Sequence, residues 1–161
     1  MSEELQITTA PNGAALEVKF SGTISQDADF SPVQLDGVES VAFDFEEVNR
    51  INSVGIRQWI QFIETIPETV NVSFERCPLR IINQINLFPG FTGNRRVDIN
   101  SFYAQFKCKD CRKSHTTLLE TRQHFNSDEI KAPMIPCPKC KKDMRFDGIA
   151  KKYFLFLRRM F

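Results

Sequence analysis

The chain has 161 residues, 42% of them hydrophobic and 25% charged, with a formal net charge of +1. That describes a soluble chain of one or two small domains, long enough to bury its own core. No run approaches the ~18 apolar residues that a transmembrane helix needs, and the modest Gly and Pro counts with no repeat exclude collagen-like and low-complexity classes. Glu3 and Glu4 stand where a secretory signal would be basic, so a cytoplasmic location is expected. There, five cysteines read as thiols or metal ligands rather than a disulfide framework.

In chain order, Leu5–Thr9 reads as a strand and Pro11-Asn12-Gly13 as a turn. Ala14, Leu16, Val18 and Phe20 then alternate with Ala15, Glu17, Lys19 and Ser21, the period of a half-buried strand, so the chain opens on a hairpin. Val41, Phe43 and Phe45 give another strand. Ile56, Trp59, Ile60, Ile63 and Ile66 follow helical spacing and predict a helix over 54–66, stopped by Pro67 and N-capped by Ser53. Val70–Phe74 is a short strand, and Pro78 opens a second helix whose apolar face is Ile81, Ile82, Ile85 and Phe88, ended by Pro89-Gly90. This alternation implies crossovers and a largely parallel sheet, an α/β fold with helices packed on it.

The net charge conceals a contrast. Residues 1–100 hold 14 acidic and 7 basic side chains; residues 101–161 hold 6 acidic and 14 basic, with four of the five cysteines. A domain boundary therefore falls at Asn100, dividing 1–100 from 101–161. No Gly/Ser/Pro-rich linker stands there, and Val97–Phe106 looks extended, so the halves are expected to join directly through a shared strand.

In the second half, Cys108-Lys-Asp-Cys111 and Cys137-Pro-Lys-Cys140 are two C-x2-C pairs 25 residues apart. Each such turn converges two thiolates on one cation, and two of them complete the tetrahedral four-sulfur shell that Zn²⁺ prefers. The pattern resembles a zinc ribbon, a small β-rich unit with a structural Zn²⁺ at Cys108, Cys111, Cys137 and Cys140. Redox-active pairs and a rubredoxin-like iron site are the alternatives; the glycine usual after each pair is replaced by Arg112 and Lys141. Thr116–Thr121 reads as the return strand, Gln123–Ile130 as polar loop or short helix, Met144–Phe146 as a strand, Asp147-Gly148 as a turn and Ile149–Leu157 as a returning strand. His115 and His124 read as ordinary strand and loop residues. The apolar tail Tyr153–Phe161 must pack inside, dimerise or form a partner site.

In the first half, Val41-Ala-Phe-Asp-Phe followed by Ile51-Asn-Ser-Val-Gly-Ile and an amphipathic helix resembles the STAS domain of anti-sigma-factor antagonists and stressosome proteins, over residues 3–100. The resemblance implies a STAS-like mixed sheet with helices and a kinase-phosphorylated serine at Ser53, with Gly55 as the motif glycine. Asn52 stands at the motif's aspartate position and Val54 replaces its usual hydroxyl residue. The residues themselves leave open that Ser53 is only a capping residue and Gly55 only a close-packing one. Cys77, before Pro78, reads as a buried small hydrophobe, with a reactive thiol as the alternative.

With no His, no Gly-rich phosphate loop and no nucleophile–base pair in the first half, no catalytic residues are expected. The expected function is a non-enzymatic regulatory or scaffold protein that binds protein partners, among them a kinase or an anti-sigma-type regulator, with a homodimer possible and no membrane partner. Basic clusters at Lys107/Lys109/Arg112/Lys113, Lys139/Lys141/Lys142/Arg145 and Lys151/Lys152/Arg158/Arg159 support the alternative of a nucleic-acid-binding regulator.

Overall fold

A computed structural model describes residues 3–161. The fold is mixed α/β: a five-stranded mixed sheet, four helices and a cysteine-rich β-region spanning Cys108–Cys140. Strands β1 (Gln6–Asn12) and β2 (Ala15–Ile24) form the expected antiparallel hairpin. Strands β3 (Ser40–Ile51), β4 (Asn71–Glu75) and β5 (Asp98–Ile99) continue the sheet in parallel, in the order β1-β2-β3-β4-β5. Helices α1 (Ser53–Glu64) and α2 (Leu79–Leu87) supply two of the parallel connections. The third, between β2 and β3, is irregular chain that tucks Phe30 and Val33 into the core.

The core on the helix side is aromatic. Trp59 of α1 is fully buried with ring centroids 5.3 Å from Phe43, 5.4 Å from Phe45 and 5.7 Å from Phe20, mostly edge-on. Its indole N–H donates to the Phe91 carbonyl (2.9 Å), which satisfies the one polar atom such burial would orphan. The opposite face of the sheet is polar, where Glu17, Lys19, Asp44, Glu75 and Arg76 line an open cleft of about 520 Å³ together with Leu118 and Glu120.

The second sheet runs β7-β6-β9-β8: β6 (Ser101–Lys107), β7 (Ser114–Glu120), β8 (Ile135–Pro136) and β9 (Asp143–Phe146). Helix α3 (Thr121–His124) follows β7, and α4 (Ala150–Tyr153) leads into 3₁₀ turns over Phe154–Arg159. No returning strand forms over Ile149–Leu157. Phe154, Phe156, Leu157 and Met160 are the buried members of this stretch, a helical spacing; strict alternation would have turned Leu157 outward. The tail packs on its own chain, with the Phe156 ring 5.0 Å from Phe102 and the Phe154 ring 5.1 Å from Phe125.

The halves meet without a linker. The Asn100 N–H donates to Phe74 in the first sheet (2.9 Å), and its carbonyl accepts from Thr121 in the second unit (2.9 Å). Beyond β4, Arg76 adopts φ 47° and turns the chain so that Cys77 pairs with β6, accepting from Tyr103 N–H (2.8 Å). Arg76 is paired with Asp44 and with Glu46 (2.7 Å), and Tyr103 donates its hydroxyl to Glu46. Tyr153 in turn donates to the Tyr103 carbonyl. Asn86 of α2 clamps the tail: its amide donates to the Tyr153 carbonyl and its oxygen accepts from Phe156 N–H, both at 2.9 Å.

Candidate functional site

The two knuckles are built alike. Arg112 N–H donates to the Cys108 carbonyl (2.8 Å) and Cys108 N–H to the Lys113 carbonyl (3.0 Å). In the second knuckle Lys141 donates to Cys137 (2.9 Å) and Cys137 to Lys142 (2.8 Å). Closing each turn requires the residue after the second cysteine to be left-handed, and Arg112 (φ 56°) and Lys141 (φ 66°) are. This is the backbone for which glycine is the cheap choice; a non-glycine residue accepts roughly 1–2 kcal/mol of strain. Arg112 and Lys141 thus occupy the glycine position geometrically while bringing positive charge to it.

The first knuckle joins β6 to β7 and the second joins β8 to β9, and the pairing of β9 with β6 brings them to a common point. The sulfurs of Cys108, Cys111, Cys137 and Cys140 all lie within 4.8 Å of one another, Cys108 and Cys140 at 3.5 Å. Cys108 and Cys137 are fully buried, Cys111 and Cys140 half-buried. Backbone N–H groups of Cys140 and Lys139 bond the Cys137 sulfur and pull its pKa down, toward thiolate. The Cys111 thiol is pushed up, chiefly because it shares hydrogen bonds with the Cys140 sulfur. Negative charge on sulfurs this close is mutually repulsive, and a cation among them removes that conflict. The cluster can hold a metal ion: a tetrahedron of thiolates at the usual ~2.3 Å has edges of about 3.8 Å, the scale of the spacings found.

His115, read as an ordinary strand residue, stands beside this cluster with Nε2 4.0 Å from the Cys137 sulfur. Its place on β7 opposite Phe106 comes from strand pairing that sequence spacing does not reveal. His124 accepts from the Glu120 backbone N–H through Nδ1 (3.0 Å), a local contact at α3. Cys77 is fully buried, and burial pushes its thiol well above the ordinary range, so it is a core residue here.

The loop entering α1 differs from expectation in its cap. Asn52, not Ser53, is the N-cap, its side-chain oxygen accepting from Gly55 N–H (2.7 Å). An amide oxygen two bonds beyond Cβ reaches back over the first turn, and Ser53 becomes the first helical residue, exposed beside exposed Val54. Gly55 is buried so tightly on β2 that an added Cβ would sit 1.9 Å from the Ile24 carbonyl oxygen. The close-packing role of Gly55 therefore stands, and the capping role passes from Ser53 to Asn52.

No family model matches the chain, and no curated protein matches it.

Proposed function

We propose that the chain is a non-enzymatic regulatory or scaffold protein of the cytoplasm, in which a STAS-like unit (residues 3–100) binds protein partners and a zinc ribbon (residues 101–161) adds a second contact surface. The observation that carries this reading is the Ser53 loop. Its serine hydroxyl is presented at the surface, Asn52 holds the helix end, and Gly55 fixes the loop to β2. The serine and the glycine of the motif are in place, Val54 stands at its hydroxyl position, and Asn52 at its aspartate position performs the capping part of an aspartate's work. A phosphate on Ser53 would add about −1.5 to −2 charge at the positive end of α1, where the helix tolerates it. Its effect would fall on a partner seated over Ser53 and Val54, the partner class being a kinase or an anti-sigma-type regulator.

Zn²⁺ is the proposed metal because all four donors are sulfur and all are supplied by the protein. When bound, it supplies structural cross-linking through a closed shell with no open position for chemistry. Elemental analysis of undenatured protein checks it: about one zinc per chain is expected, and less than about half contradicts it. Affinity capture from native cells with wild-type and Ser53→Asp baits tests the partner role together with intact-mass measurement of Ser53. A Ser53 that is never modified, with identical partners on both baits, would remove the switch.

A second reading, nucleic-acid binding, is favoured by one observation. Among the described basic side chains of residues 101–161, only Arg122, Lys131 and Lys142 reach a carboxylate, and only the Arg122–Asp98 pair (3.3 Å) crosses to the acidic half. The remaining cations face outward. Binding to DNA or RNA that falls steeply with added salt supports this reading; none at high micromolar protein rejects it.

A further inference from the structure

The last helical segment presents a surface that neither the sulfur cluster nor the Ser53 loop uses. Ile149 caps α4, and the chain then winds through α4 and the 3₁₀ turns to Arg159. Within the 3₁₀ turns, Phe154–Arg159, three residues complete a turn, so Leu155 and Arg158 stand one above the other, roughly 6 Å apart along the axis. The inward face takes Phe154, Phe156, Leu157 and Met160. The outward stripe at three-residue spacing is Ile149, Lys152, Leu155, Arg158 and Phe161, all exposed and alternately apolar and cationic. Ile149 is 61% exposed, and Leu87 of α2, 68% exposed, faces it across a groove of about 620 Å³ that Lys152 also lines. Lys151 and Arg159 flank the stripe, and none of these four cations, two in the stripe and two beside it, reaches a carboxylate among the described residues.

We propose that this stripe is a peripheral docking surface for an anionic lipid bilayer. Charge complementarity selects an anionic partner, and the interleaved aliphatic side chains select among anionic partners. A phosphate backbone would meet Lys152 and Arg158 but gain nothing from Ile149 and Leu87. A bilayer interface takes both: apolar tips enter the headgroup–acyl boundary while lysine and arginine stay at the phosphates. The cations that meet the headgroups belong to the basic half, and Leu87 of α2 adds an apolar side chain from the first half to the same face. No helix among the described residues is long and apolar enough to cross a membrane. The expectation of no membrane partner rested on that lack of a span, which does not bear on a surface that lies on the bilayer.

Vesicle flotation of the full chain as purified tests the proposal, with far-ultraviolet circular dichroism and metal content confirming that each variant is folded. The protein should float with phosphatidylcholine vesicles containing about a third phosphatidylglycerol and stay behind with phosphatidylcholine alone. Lys152→Glu with Arg158→Glu should lower the partition coefficient at least about tenfold, and Ile149→Asp about fivefold. Three outcomes overturn it. The protein fails to float with the anionic vesicles. It floats equally with both kinds, or indifferently to these variants. Or the same variants abolish binding to DNA, or dissociate a dimer seen by sedimentation, while vesicle binding is absent; the stripe then belongs to nucleic acid or to a second copy.

Discussion

The two halves of the molecule are held together by different physics. The five-stranded sheet closes over a dry aromatic core in which one tryptophan meets phenylalanines from three strands. The cysteine-rich half adds to the β6–β7 pair two short strands, two residues in β8 and four in β9, with a polar connection before them. Phe102 and Phe156, both buried, belong to segments that pack against α2 of the other half. One region rests on packing it makes itself; the other carries a four-sulfur cluster that can hold a metal ion and rests on a core it shares. The difference teaches where each is vulnerable: the first to a change of volume, the second to loss of a ligand or of the seam.

Chelation is the strongest way to separate them. If the proposed structural metal contributes on the order of 10 kcal/mol, its removal, or Cys137→Ser, should abolish the ordered amide resonances of β6–β9 while β1–β4 keep theirs. Equal loss throughout would show the halves to be one cooperative unit. Gly55→Ala is the corresponding blow to the first half. Its Cβ would overlap the Ile24 carbonyl, and a loss of about 3 kcal/mol or more is expected in denaturant titration, with metal binding retained. Asn86→Ala attacks the seam. It leaves the Tyr153 carbonyl and Phe156 N–H without their partner, which should cost about 2 kcal/mol and raise hydrogen exchange selectively in the tail. The smallest effect discriminates the two loop residues: Asn52→Ala should cost about 1 kcal/mol, and Ser53→Ala no more than about 0.5 kcal/mol. The reverse order would return the capping role to Ser53.

Periodicity made the first half readable. The alternation in Ala14–Ser21 and Val41–Phe45 and the helical spacing from Ile56 are local signals, and the elements appear where they predict. The cysteine cluster was readable for the same reason, since C-x2-C is a local geometry. What escaped depends on partners distant in sequence or on competition between neighbours. Glu46–Arg50 is too polar to suggest a strand, yet β3 continues to Ile51 because β2 pairs with it through two register shifts. Ser53 and Asn52 are both good caps, and the closed contact of Gly55 with β2 decides between them. The tail's run of aromatic and aliphatic residues fits a strand or a helix, and docking on α2 selects the helix. The left-handed turns at Arg112 and Lys141 lack the glycines that would have announced them.

The placement of the chromophores makes the seam optically addressable. The chain has one tryptophan and two tyrosines. Trp59 lies in the core of the first half, whereas Tyr103 and Tyr153 form a relay across the junction. Burial, reinforced by the Glu46 hydrogen bond, holds the Tyr103 hydroxyl up at about 12, and burial raises Tyr153 as well. Because the folded state favours the protonated phenols, their contribution is complete below the ordinary tyrosine range near pH 10 and is withdrawn as pH climbs through about 12. Tyrosinate absorbance should therefore stay silent at pH 10 while the junction is closed and rise when it opens, independently of indole fluorescence. A single cuvette can thus follow the two halves in two colours, without any label.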